Sequence, residues 1–127
     1  MQRKLVTLLT IAGSDCSGGA GIQADIRAAA ACNVYSMTAI TAVTSQNSHG
    51  ICNLLPLSPA DVKSQIDAIS QEIVTDAIKI GMIATPGNAS VIAEYIKSLP
   101  TDIPVVTDPV LTSSAGGTLS QDVNEMA

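Results

Sequence analysis

The sequence predicts an α/β domain whose sheet is mostly parallel, with helices on both faces. Three observations carry this. Short β-branched apolar runs alternate with longer segments whose apolar residues recur at helical spacing. The first run, Leu5–Ala12, is apolar on both faces, as a central parallel strand must be when helices cover it on either side. The composition, 46% hydrophobic and 13% charged, suits a buried core and excludes a disordered tail.

Taken in order, Leu5–Ala12 is the first strand, and Gly13–Gly21 is a loop of small residues. Ile22–Cys32 is alanine-rich and reads as a helix with Arg27 on its outer side, and Asn33 can end it in the left-handed conformation. Tyr35–Thr44 is the second strand, Gln46–Gly50 a polar loop at its end, and Ile51–Leu55 a short strand. Ser58 is an N-cap followed by Pro59 at the first helical position and Asp61 near the positive helix end. Val62, Ile66, Ile69 and Ile73 then repeat at helical spacing. Ala77–Ile80 is a strand ending at Gly81-Met82. Asn88–Leu99 is a helix with Val91, Ile92, Tyr95, Ile96 and Leu99 on one face, and Pro100–Pro104 is a turn. Val105–Thr107 is a short strand ending at Asp108-Pro109-Val110, and Ser120 can cap a last helix. Alternating strands and helices imply right-handed crossovers and a parallel sheet. No repeat, low-complexity tract or linker divides the 127 residues, so one domain is expected.

The same composition excludes several functions. Six basic residues are scattered within a net charge of −5, so no basic stripe offers itself to nucleic acid. Phe and Trp are absent and only Tyr35 and Tyr95 are aromatic, which leaves no base-stacking platform. No run of about 20 apolar residues exists to cross a membrane. The apolar run near the N-terminus is short and reads as a strand, not a signal peptide. Three widely spaced cysteines, Cys16, Cys32 and Cys52, form no C-x-x-C pair and read as reduced thiols, so the cytoplasm is the expected location. His49 is the only histidine, so a zinc site is unsupported, and it reads as a loop residue. Lys79 lies within a strand and is placed to pair an acid.

In a parallel sheet, ligands bind beyond the carboxyl ends of the strands. Four such ends carry unusual residues: Gly13-Ser14-Asp15 through Gly21, Gln46–Gly50, Gly81-Met82, and Asp108-Pro109-Val110. All four should fall on one rim. The first loop is not a Walker loop and lacks the G-x-G-x-x-G dinucleotide spacing. Its glycines let backbone amides approach a ligand closely.

The stretch Ala12-Gly13-Ser14-Asp15-Cys16-Ser17-Gly18-Gly19-Ala20-Gly21-Ile22-Gln23-Ala24-Asp25 closely resembles the opening motif of hydroxymethylpyrimidine/phosphomethylpyrimidine kinases, in the ribokinase-like superfamily. The likeness continues through Thr38–Asn47, Lys79-Ile80-Gly81-Met82 and Asp108-Pro109-Val110. It departs at Cys16, where the family often has proline, and at Leu111–Gly117. The resemblance implies a three-layer kinase fold, of which this chain is the N-terminal half of a single domain. It implies ATP-dependent phosphorylation, with Mg²⁺, of a small hydroxymethylpyrimidine and its monophosphate in thiamine biosynthesis. No nucleic-acid or membrane partner is expected, and the complete protein is expected to be a homo-oligomer, a dimer.

The resemblance also places Gly13, Asp25, Gln46, Met82 and Val110 in the pyrimidine pocket. Asp108 falls near the nucleotide phosphates and metal. The metal ligands themselves stay unassigned. Gln46 suits its place, because an amide offers one acceptor and two donors and can pair with an amino group and an adjacent ring nitrogen. Met82 would pack on the flat ring through its flexible thioether. Phosphoryl transfer further needs an anion-binding loop and a base. The family carries both in a second half, so no catalytic residue is expected here and the 127 residues alone should be inactive. Two alternatives stand beside this: a pyridoxal kinase of the same superfamily, which usually has a less glycine-dense opening loop, and a non-catalytic binding or assembly module.

Overall fold

The computed structural model describes residues 4–108. Strands β1 (Thr7–Asp15), β2 (Tyr35–Asn47), β3 (Gly50–Pro56), β4 (Ala77–Ile80) and β5 (Val105–Thr107) are joined by helices α1 (Gly21–Ala31), α2 (Pro59–Ser70) and α3 (Pro86–Ser98). Among the described residues the strands make one sheet in the order β3-β2-β1-β4-β5. β1 pairs parallel with β2 and β4, and β4 parallel with β5, while β2 and β3 form an antiparallel hairpin. The mostly parallel α/β fold is therefore the one the sequence predicts.

The layers follow from strand alternation. Leu9 and Ile11 of β1 join Met37, Ala39, Ile78 and Ile80 in a core against Val62 and Ile66 of α2 and Ile92 of α3. Thr10, between them, points to the opposite face and bonds Asp25 of α1. Helices thus cover both faces of the central strand. Among the described residues β5 is an edge strand, and Val106 is 62% exposed there. No described helix is long and apolar enough to cross a membrane.

Local chemistry explains the helix ends. The Ser58 side chain accepts the Asp61 N–H and Pro59 opens α2. Asn33 ends α1 with φ 58°, the left-handed conformation that asparagine tolerates. Three expected boundaries are corrected. β1 runs on to Asp15, because its ladder with β2 continues past a bulge between Ala12 and Ser14. Gln46 and Asn47 are not loop residues: they pair with Ile51 and Gly50, leaving only Ser48 and His49 to turn the hairpin. α3 starts at Pro86 and not Asn88, because Thr85 caps it by accepting the Asn88 N–H. The helix expected near Ser120 lies outside the described residues.

Candidate functional site

Parallel pairing sends the ends of β1, β2, β4 and β5 to the same rim, and backbone hydrogen bonds tie those ends together. The Asp108 N–H donates to Ile80 O at 2.8 Å, and the Gly81 N–H to Ile11 O at 2.8 Å. The Thr44 hydroxyl donates to Ser14 O at 2.8 Å. Asp108, Gly81, the end of β1 and the end of β2 are thereby linked in one series across the rim.

The β1–α1 loop is organised by Asp15, which is 4% exposed. Its carboxylate accepts four hydrogen bonds, from the Ser17 N–H and hydroxyl and from the Gly19 and Ala20 N–H groups, at 2.7–3.0 Å. Burial pushes the Asp15 carboxyl up, but the Ser17, Ala20 and Gly19 bonds outweigh it and hold its pKa below 3.8. Arg27 of α1 closes the loop by donating to Gly18 O. Gln23 clasps the strand end from α1: its Nε2 donates to Ser14 Oγ at 2.8 Å and its Oε1 accepts the Asp15 N–H at 2.9 Å. Gly21 must lack a side chain, since it has φ 59° and a Cβ there would lie 2.4 Å from Gly13 O.

Gly13 and Met82 meet directly. A Cβ on Gly13 would lie 2.1 Å from Met82 Cε, so the missing side chain makes room for the thioether. Met82 packs with Ala42 and Ala84, and Ile51 and Leu54 line the same cluster. The backbone of Met82 and of Ile83 after it is fixed from two directions. The Thr41 hydroxyl donates to Met82 O at 2.6 Å, and the fully buried Asn88 amide donates to Ile83 O at 3.1 Å. Ala84 follows at φ 77°, a conformation alanine adopts only when its surroundings impose it.

Gln46, next to last in β2, lies beside a second register shift, between Ser45 and Gln46. Its N–H donates to Cys16 Sγ at 3.3 Å, and the Cys16 thiol donates to Gln46 O at 3.3 Å. Its side-chain Nε2 donates to Thr44 Oγ1 at 2.8 Å. Oε1 makes no hydrogen bond among the described residues. Asp25 sits on α1 below the rim, where Oδ2 accepts from the Thr10 hydroxyl at 2.6 Å and from Lys79 Nζ at 3.0 Å. Oδ1 is uncommitted among the described residues.

Of the expected pocket residues, Gly13 and Met82 touch, Gln46 joins the same rim through Thr44 and Ser14, and Asp25 lies beneath it on α1. Val110 lies outside the described residues. Asp108 is exposed at the end of β5. No three His, Cys, Asp or Glu side chains among the described residues cluster to hold a metal. Sequence reasoning passed over Asp15, Gln23 and Thr44 as working residues. Asp15 left a readable trace, an acid followed at short range by serine and glycine, the pattern of a side chain that caps its own loop. All three cysteines are free and exposed, and His49 lies in the hairpin turn as expected, with its N–H on Asn47 Oδ1 at 2.9 Å.

The family model for phosphomethylpyrimidine kinase matches residues 15–127. A hydroxymethylpyrimidine/phosphomethylpyrimidine kinase of Bacillus subtilis is 42% identical over 116 residues, covering 90% of this chain and 42% of the relative. One of Synechococcus elongatus is 43% identical over 111 residues, 87% of this chain and 41% of the relative. The chain thus spans less than half the length of these curated relatives. Among solved structures, a phosphomethylpyrimidine kinase of Clostridium difficile matches with TM-score 0.83 and 40% identity, over 95% of this chain and 52% of that one. A pyridoxal kinase of Staphylococcus aureus, in complex with pyridoxal, matches with TM-score 0.76 and 32% identity, over 87% of this chain and 41% of that one.

Proposed function

The chain belongs to the phosphomethylpyrimidine kinase family, and from that premise we propose that its protein transfers the γ-phosphoryl of ATP to 4-amino-5-hydroxymethyl-2-methylpyrimidine and to the monophosphate of that alcohol. Residues 1–127 are the N-terminal part of one ribokinase-like kinase domain and supply the pyrimidine pocket. The observation that carries this is the rim itself, where Met82 lies over Gly13 and the Gln46 amide leaves Oε1 uncommitted among the described residues. A flat, polar-edged ring needs such a surface: an apolar thioether for its face and an amide for its edge.

In this reading Gln46 pairs with the amino group and the ring nitrogen beside it. Asp25, held at Oδ2, keeps Oδ1 for a donor on the substrate, and Val110 closes the pocket. ATP as donor is supported by the Staphylococcus aureus pyridoxal kinase solved in complex with AMP-PCP. The exposed Asp108 carboxylate fits one oxygen of a Mg²⁺ ion that takes its other ligands from phosphates and water, as this ion commonly does. When bound, the ion would neutralise charge on the transferring phosphoryl group. The loop that holds the phosphates and the base that takes the hydroxyl proton belong to the family's second half. The three free cysteines favour a reducing compartment, the cytoplasm.

The test is coupled ADP release by the full-length protein, with ATP and Mg²⁺, comparing the pyrimidine alcohol with pyridoxal. Turnover of the pyrimidine should exceed that of pyridoxal. Preference for pyridoxal, or turnover of neither, would overturn the proposal.

A further inference from the structure

We propose that Thr44 fixes the direction in which the Gln46 amide is read, and thereby decides which order of donor and acceptor the site accepts on a ligand ring. This deepens the pyrimidine reading above and rests on it for the ligand's identity alone.

Thr44 is 2% exposed, and its hydroxyl lies 2.8 Å from the carbonyl oxygen of Ser14. A carbonyl can only accept, so the single hydroxyl proton is committed there. What remains on Thr44 Oγ1 is lone pairs, which can only accept. The Gln46 amide group 2.8 Å away must therefore present its NH₂ to Thr44 and not its oxygen. A flipped amide would set two oxygens face to face with no proton between them. The neighbourhood holds this arrangement in place. Ser14 is clasped by Gln23 through its own Oγ, at 2.8 Å. The Gln46 backbone is anchored on both sides by Cys16 Sγ.

Two groups of the Gln46 amide then face away from Thr44: Oε1 as an acceptor and the second Nε2–H as a donor. In one fixed ring placement they match an exocyclic amine beside an unprotonated ring nitrogen. The 4-oxo counterpart reverses both groups, presenting a carbonyl oxygen and a ring N–H. A free amide could turn over to accommodate it. An amide locked by Thr44 cannot, and leaves a like pair at each position. Thr44 is in this sense a positioning residue that sets specificity without touching the substrate.

The experiment uses the full-length protein in two arms. Without ligand, NMR measures through-space transfer between the Gln46 side-chain NH₂ and the Thr44 methyl group. With ligand, calorimetry gives the ratio of affinities for the 4-amino-5-hydroxymethylpyrimidine and its 4-oxo counterpart. Thr44→Ser keeps the hydroxyl and should keep the wild-type ratio. Thr44→Val, close in shape, should lower the ratio about tenfold, the equivalent of one hydrogen bond, largely through tighter binding of the 4-oxo ring. A folded Thr44→Val with the wild-type ratio would overturn the inference. So would Thr44→Ser losing that ratio, or a ligand-free spectrum with no transfer between the NH₂ and Thr44. Should the wild type bind neither ring, the pyrimidine reading fails, and the ligand-free arm still decides the direction of the amide.

Discussion

Lys79 Nζ lies 3.0 Å from Asp25 Oδ2, joining β4 to α1 through a pair whose side chains are only 25% and 17% exposed. Gly81 makes the space, since a Cβ there would come within 2.9 Å of Lys79 Nζ. Removing the lysine strands a carboxylate that, among the described residues, has only Thr10 left as a partner. Lys79→Met should cost about 1–3 kcal/mol, less than a fully buried pair because some solvent reaches this one. Adding Asp25→Asn should recover part of the loss. Urea unfolding of the two single variants and the double variant measures the coupling.

The loop between β1 and α1 depends on a residue that no side chain can replace. Gly21→Ala meets both a positive φ and a backbone oxygen at 2.4 Å. A backbone atom cannot swing aside as a methionine terminus can. We expect a loss of at least about 2 kcal/mol. Gly13→Ala should be milder in stability, because only the flexible end of Met82 is displaced. Thermal unfolding of both variants compares them, and a Gly13→Ala protein as unstable as Gly21→Ala would contradict the distinction.

Asp15 makes stability depend on acid. Its folded pKa lies below the ordinary 3.8. A depressed carboxyl contributes stability that is fully present above its unfolded pKa and is lost as pH falls through the folded one. Stability of the wild type should therefore decline below about pH 4 in part through Asp15. Asp15→Asn should be less stable at neutral pH by about 1–3 kcal/mol, since the amide nitrogen cannot accept the bonds it inherits. It should also show a shallower decline in acid. Denaturant unfolding across pH 3–7 reads both effects.

Asn88 is a structural counterpart at the other side of the rim. Fully buried, its Nδ2 lies 3.1, 3.3 and 3.4 Å from Ile83 O, Leu57 O and Thr41 O, three acceptors that share its two N–H donors. Asn88→Asp would turn an oxygen toward three carbonyls and should cost about 3 kcal/mol or more. Asn88→Ala should cost less than Asn88→Asp. Chemical denaturation ranks the two.

The features legible in the sequence are those set within a few residues. Ser58-Pro59 with Asp61 announced α2, and Asn33 announced the end of α1. Thr85-Pro86 carries the same signature for α3, two residues ahead of the start expected at Asn88. Strand ends were harder, because Gly13, which sits in the bulge of β1, and Gln46, which pairs with Ile51, look like loop residues until the ladders with β2 and β3 are known. The rim of strand ends was legible, since parallel topology alone places it. The contacts that shape it were not. Lys79 and Asp25 are 54 positions apart, and Thr44 and Ser14 are 30 apart. Lys79 could be given an acid as partner, but only the fold says which.

The most direct test of a pyrimidine pocket at this rim is a calorimetric titration of 4-amino-5-hydroxymethyl-2-methylpyrimidine into the full-length protein and its Gln46→Ala variant. The wild type should bind, and the variant should bind more weakly by about 1–3 kcal/mol, the cost of leaving the amine and ring nitrogen unpaired. Equal affinity in the two proteins, or none in the wild type, would contradict the assignment of this rim to the pyrimidine.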